Sequence, residues 1–291
     1  MTELIYLDYT REELDRQYSN FLQEGAEKAN DAATARCQQN LETLAPRTGI
    51  SYGPQAGQVF DLYHPGDRES AAPAIVYMHG GQWQKGDATM SAVAADTCLA
   101  QGVALVAAHC TQIPEARLDT MVDQNVALVR HVRARAAEYC IDPARICVAG
   151  HSSGAHLAGA ALVRLANDDD LAGITCGLLY SGNYDLRPLM KSYRADYLLL
   201  DDAETVALSP LLTLDKPLPP LWMAVGTLES DEFKRQGQTF HEAVSKLSPA
   251  TLQEADGKNH FDANEDFRTA GTPVWEFLST HLGAANAAAA Q

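Results

Sequence analysis

Four short, unbroken apolar runs punctuate the chain, at residues 74–78, 103–108, 146–149 and 221–225. A strand with one face in water alternates apolar and polar residues, so a continuous run predicts a strand covered on both faces. Between the runs, apolar residues recur at helical spacing over 92–101, 121–136 and 155–165, and again over 232–246 after the fourth run. Buried strands alternating with amphipathic helices predict a mostly parallel sheet with helices on both faces. Ahead of this pattern, Val59-Phe60-Asp61-Leu62-Tyr63 alternates and stops at Pro65-Gly66, which predicts an outer strand and a turn. Thr10 and Glu13 form a capping-box pattern before Leu14, Tyr18 and Leu22, and a second helix is expected over 29–44. A strand-like stretch at 250–254 precedes a final helix.

The pattern implies one α/β domain over 1–283. Residues 185–213 interrupt the alternation with Pro188 and Pro210, and they are expected to form a small cap over the site. The Ala-rich tail at 284–291 is expected to be disordered. In an open parallel sheet, chemistry sits just outside the carboxyl ends of the strands, so the loops there carry the candidates.

After the run ending at Ala149 comes Gly150-His151-Ser152-Ser153-Gly154, followed by a helical Ala-His-Leu-Ala. This is G-x-S-x-G between strand and helix. The bend is too sharp for flanking side chains, and it lifts the Ser152 hydroxyl above the sheet. An ordinary glycine-rich turn would show the same letters, but the strand before and the helix after favour a nucleophile. Ser153 lacks the flanking glycines, and its backbone N–H suits an oxyanion donor. After Met78, His79-Gly80-Gly81-Gln82-Trp83 would supply the other donor from Gly80 or Gly81. His79 is expected to brace that loop. Gln82, Trp83 and His151 are the expected pocket residues.

The general base should follow in a late loop. His260, in Gly257-Lys258-Asn259-His260 after the stretch 250–254, fits that position; His241 and His281 fall within helices. The third member should follow the run at 221–225, where Glu229 and Asp231 both qualify. Either Ser230 or Asp231 could cap the next helix, which favours Glu229. Such a carboxylate holds the imidazole tautomer and stabilises the imidazolium without taking the proton.

Composition narrows the partners. A net charge of −16 and a pI near 4.8 repel phosphate backbones and anionic lipid, so neither nucleic acid nor membrane is an expected partner. The N-terminus has no basic stretch followed by an apolar one, and no apolar run is long enough for a span. Six scattered cysteines without a C-x-x-C pair read as buried thiols in a reducing cytoplasm. No cofactor or metal spacing is present. A small-molecule amide or ester is the expected partner, with a homodimer as a further expectation.

These residues, in this order, resemble the kynurenine formamidase (arylformamidase) branch of the α/β-hydrolases, related to the H-G-G esterases and lipases. The resemblance runs from Leu7-Asp8-Tyr9-Thr10 through His79-Gly80-Gly81-Gln82-Trp83 and Gly150-His151-Ser152-Ser153-Gly154 to Glu229-Ser230 and Glu232-Phe233. It implies the α/β-hydrolase fold, an acyl-enzyme on Ser152, and hydrolysis of an N-formyl or related amide. It also implies a triad acid between Val225 and Phe233. A carboxylesterase with the same parts is the alternative, and a non-catalytic binding homologue a more distant one. Two departures stand out: Gln82 replaces the family's usual tyrosine, and residues 109–114 lack an aromatic often found there. Both make an aryl-lined pocket a weaker expectation.

Overall fold

The computed structural model describes residues 3–66 and 70–284. Apart from Ala284, the alanine-rich tail lies outside the described residues. Eight strands form one sheet: β1 (Arg47–Ser51), β2 (Val59–Tyr63), β3 (Ala72–Met78), β4 (Ala104–Ala108), β5 (Ile141–His151), β6 (Ile174–Tyr180), β7 (Leu221–Gly226) and β8 (Ala250–Ala255). Their order across the sheet is β1-β2-β4-β3-β5-β6-β7-β8, antiparallel at β1/β2 and β2/β4 and parallel from there on. The apolar runs become the central strands. All of β3 is buried, and its alternate residues feed two cores: Ala74, Val76 and Met78 on one face, Ile75 and Tyr77 on the other.

Among the described residues, ten α-helices accompany the sheet: α1 (Arg11–Gln17), α2 (Ala26–Leu44), α3 (Ala95–Ala100), α4 (Leu118–Ala134), α5 (Ser153–Asn167), α6 (Ala195–Leu198), α7 (Asp202–Ala207), α8 (Pro210–Thr213), α9 (Asp231–Val244) and α10 (Pro273–Leu282). The capping box at Thr10 and Glu13 is formed. At α9 the cap is Ser230, whose side chain accepts from the Phe233 N–H, while Asp231 points outward and pairs with Lys234.

Two strands escape the sequence reading altogether, β1 and β6. β1 is a polar edge strand, with Ile50 its sole large apolar residue. In β6, Gly177 breaks the run because it lies against the Leu221 and Leu162 side chains, and a Cβ there would sit 2.7 Å from Leu221. No helix among the described residues is long and apolar enough to cross a membrane.

The expected cap behaves differently from the sequence reading. Residues 185–213 do form short helices, α6–α8, but they brace the N-terminal segment. The Tyr193 N–H donates to Asp15 Oδ1 at 2.6 Å, and Arg194 Nη2 donates to the Tyr18 carbonyl at 2.9 Å. Arg194 is buried, with its guanidinium over the Tyr18, Trp83 and Tyr193 rings. A buried cation is tolerated here because π-faces and a carbonyl replace part of its hydration.

The loop between His260 and α10 is tied by side chains instead of a ladder. Arg268 donates to the Phe261 carbonyl and to Asn264, and Asp266 Oδ1 accepts from the Phe267 N–H. Burial pushes the Asp266 carboxyl up from 3.8 to about 6. The folded state therefore holds a proton that the unfolded chain releases, and stability falls as pH rises from about 4 to about 6. Asp266→Asn keeps the Oδ1 acceptor and removes the buried charge. Calorimetry should show its Tm raised by roughly 2–4 °C at pH 7.5 and little changed at pH 4. Equal Tm values at both pH values would remove the buried-charge account.

Candidate active site

Four strand ends converge. Ser152 follows β5, Glu229 follows β7, His260 follows β8, and the His79–Trp83 loop follows β3. Ser152 has φ 58° and ψ −124°, outside the regions open to residues with a Cβ. The bend is held on both sides. The Ser152 N–H donates to the Tyr180 carbonyl at 2.8 Å, and Gly154 packs so closely under β3 that a Cβ would lie 2.0 Å from the Met78 carbonyl.

His260 Nε2 lies 2.8 Å from Ser152 Oγ, and its Nδ1 lies 2.7 Å from Glu229 Oε2. All three side chains are buried. The other oxygen of Glu229, Oε1, accepts from the Gly226 N–H at 2.8 Å and from the Ser181 hydroxyl at 2.5 Å. Those donors satisfy a buried carboxylate that would otherwise carry a heavy desolvation cost. Asp231, the alternative third member, is largely exposed and lies outside this group.

Ser181 was missed from sequence. It caps the end of β6, the strand hidden by Gly177, so the available signal was a strand end beside β5 and β7.

The loop after β3 has left-handed backbone at three successive residues: Gly81 (φ 123°), Gln82 (φ 57°) and Trp83 (φ 63°). A Cβ on Gly81 would meet the Lys85 carbonyl at 2.0 Å. The strain at Gln82 and Trp83 is offset by anchoring: the Trp83 ring is buried, and its Nε1–H donates to His156 Nδ1 at 3.2 Å. His156 in turn donates from Nε2 to the Leu208 carbonyl at 2.8 Å, so one tautomer serves both contacts. His79 donates from Nδ1 to the Gly80 carbonyl at 2.5 Å and meets His109 through Nε2 at 3.2 Å. Burial brings His79 and His156 down to about 4 and His151 to about 3, so all three are neutral imidazoles at neutral pH. Among the described residues, the N–H groups of Gly80, Gly81 and Gln82 reach no protein acceptor.

A cavity of about 340 Å³ opens onto Ser152 and His260. Gln82 and His151 line it; Trp83 does not, because its ring is spent on anchoring the loop. The outer wall is also a correction. It comes from the N-terminal segment and α2, through Asn20, Phe21, Ala33 and Cys37, and no residue of 185–213 lines it. Phe21 packs on Phe261 with the rings tilted by 40° and their centres 4.7 Å apart, and Tyr77 lines the interior. The cavity therefore has aromatic walls from positions far from 109–114. Among the described residues, no Asp or Glu lines it, in a chain with 38 of them.

A family model described as BD-FAE matches residues 60–183. The chain is 27% identical to a kynurenine formamidase from Salmo salar, across 95% of this chain and 98% of that one. The chain has the α/β-hydrolase fold and is similar to the kynurenine formamidases and to esterases. Among esterase relatives, an isoprenylcysteine alpha-carbonyl methylesterase from Arabidopsis thaliana is 24% identical over 74% of this chain and 56% of its own length. A solved structure from Silicibacter sp. TM1040, described as a candidate thioesterase, superimposes with a TM-score of 0.76 at 27% identity, covering 90% of this chain and 97% of that one. Similarity to kynurenine formamidases and esterases marks the chain as a hydrolase.

The strain at residue 152 can be isolated. Ser152→Gly and Ser152→Ala both lack the hydroxyl, but glycine adopts the observed backbone freely. Urea denaturation should rank the glycine variant about 1 kcal/mol above the alanine variant. The reverse order would mean the bend is unstrained.

Proposed function

We propose that this hydrolase cleaves a small N-formyl or related amide through an acyl-enzyme on Ser152. The observation that carries the reading is the unbroken chain of contacts from Glu229 through His260 to Ser152, at the floor of an aromatic-walled cavity. Similarity to a kynurenine formamidase over nearly the full length of both chains supports the choice of an amide. A cavity near 340 Å³ suits a substrate with one ring and a short side arm.

The chemistry follows from the geometry. His260 Nε2 takes the proton of Ser152 as Oγ bonds to the carbonyl carbon, and the carbonyl electrons move onto oxygen. The Ser153 N–H, at the start of α5, and the N–H of Gly80 or Gly81 receive that charge. The unpaired amides of the strained loop serve this purpose without reorganisation. Glu229 keeps Nδ1 protonated and opposes the positive charge arising on the ring. The proton on Nε2 then passes to the leaving nitrogen as the C–N bond breaks. Water, deprotonated by the same nitrogen, attacks the Ser152 ester; the C–Oγ bond then breaks, Nε2 returns its proton to Ser152 Oγ, and the acid leaves.

An ester reading uses the same parts, and the methylesterase similarity favours it. The two separate in the leaving group: an amine must be protonated as it departs, whereas a phenolate leaves unaided. Purified protein should show higher kcat/KM on N-formyl arylamines than on the matching aryl amides with larger acyl groups. Efficiency confined to short p-nitrophenyl esters would replace the amide reading with the ester one.

Ser152→Ala should lower kcat by at least a thousandfold and abolish labelling by a serine-directed phosphonate, with the circular dichroism spectrum unchanged. Glu229→Gln should lower kcat by roughly a thousand- to ten-thousandfold, since an amide can hold the wrong tautomer. Turnover retained in Ser152→Ala would move the nucleophile elsewhere.

A further inference from the structure

His260 sits in a loop with no ladder hydrogen bonds of its own, yet its ring must span two partners at once. Its backbone explains how it is held. The His260 N–H donates to Gln23 Oε1 at 2.7 Å, and its carbonyl accepts from His151 Nε2 at 2.6 Å. Both peptide groups of the base therefore end on side chains from other parts of the fold. Gln23 belongs to the N-terminal segment that walls the cavity. His151 is the covalent neighbour of Ser152.

From this juxtaposition we infer that Gln23 and His151 form a two-sided clamp that positions the general base; the inference rests on the triad reading above. One side chain links the nucleophile's bend directly to the base's loop, so the Ser152–His260 distance is set across a single residue. The His151 and His260 rings lie 4.9 Å apart, tilted by 45°, which limits rotation of the imidazole. The other arm is reinforced nearby: Asn259 Nδ2 donates to the Glu24 carbonyl at 3.0 Å, and Phe261 packs on Phe21. The base loop and the cavity wall are thus tied to each other at three successive residues, 259–261. His151 lines the cavity, but its Nε2 is committed to the His260 carbonyl, which makes it a positioning residue more than a substrate contact.

A misplacement of about 1 Å in reacting groups costs on the order of a hundredfold in rate. The clamp therefore acts on kcat and leaves KM alone. The test uses the full chain with an N-formyl arylamine and with p-nitrophenyl acetate. His151→Leu and Gln23→Leu should each lower kcat about 10- to 100-fold on both substrates, with KM within about twofold. His151→Gln, whose amide nitrogen reaches nearly as far as Nε2, should recover most of the loss seen in His151→Leu. A merely structural role would not give that recovery together with an unchanged KM. If His151→Leu does not fold, Gln23→Leu at its half-buried site and His151→Gln carry the test.

Full kcat in Gln23→Leu, or a rise in KM at constant kcat in either leucine variant, overturns the clamp. Ser152→Ala, run alongside, separates the two failures. If it is inactive while the clamp variants are fully active, the clamp alone is wrong. If it stays active, the triad reading falls, and the clamp with it.

Discussion

The imidazole of His260, hydrogen-bonded on one nitrogen to Glu229 and on the other to Ser152, is the interaction on which the rest of this molecule depends. An imidazole offers two ring nitrogens about opposite each other, so its neighbours must sit on opposite sides at fixed distance. Three loops leaving β5, β7 and β8 meet that demand because parallel strands deliver their carboxyl ends to one edge of the sheet. The buried central strands make the edge rigid. Around it, the protein accepts strain at Ser152, Gln82 and Trp83, and offsets it with buried anchors.

Those anchors form a second layer with its own logic. Ser181 and the Gly226 amide occupy the far oxygen of Glu229, so the carboxylate is satisfied before it meets the imidazole. Trp83 holds the glycine loop through His156, and His156 reaches on to the Leu208 carbonyl. Burial keeps His79, His151 and His156 neutral. Neutral imidazoles can brace the site without placing a positive charge beside the His260 ring. Among the described residues, no carboxylate lines the cavity.

The N-terminal segment turns the sheet edge into an enclosed cavity. It is held by side-chain contacts to distant loops: Tyr193 and Arg194 from the segment before α7, Ser230 at the start of α9, and Asn259 beside the base. The stretch 185–213 consequently shapes the site at one remove, by supporting the wall that faces Ser152.

Much of this was legible in the residue order. Unbroken apolar runs marked the central strands, because a strand covered on both faces has no polar side. G-x-S-x-G between a strand and a helix marked the bend, because only glycine tolerates the backbone contacts there. Cap chemistry separated Glu229 from Asp231, since Ser230 could serve the helix. Other features needed the tertiary structure. β1 is mostly polar and Gly177 interrupts β6, so neither strand had a pattern to read. Ser181, Gln23 and the aromatic wall of Phe21, Tyr77 and Phe261 come from segments far apart in the chain. Their meeting depends on how loops pack across the sheet edge, and periodicity carries only local information about which face is buried. Sequence by itself determined six of the eight strands, the bend and the chemical groups offered at their ends; the folded chain alone decided which side chains close over them, because that is set by long-range packing.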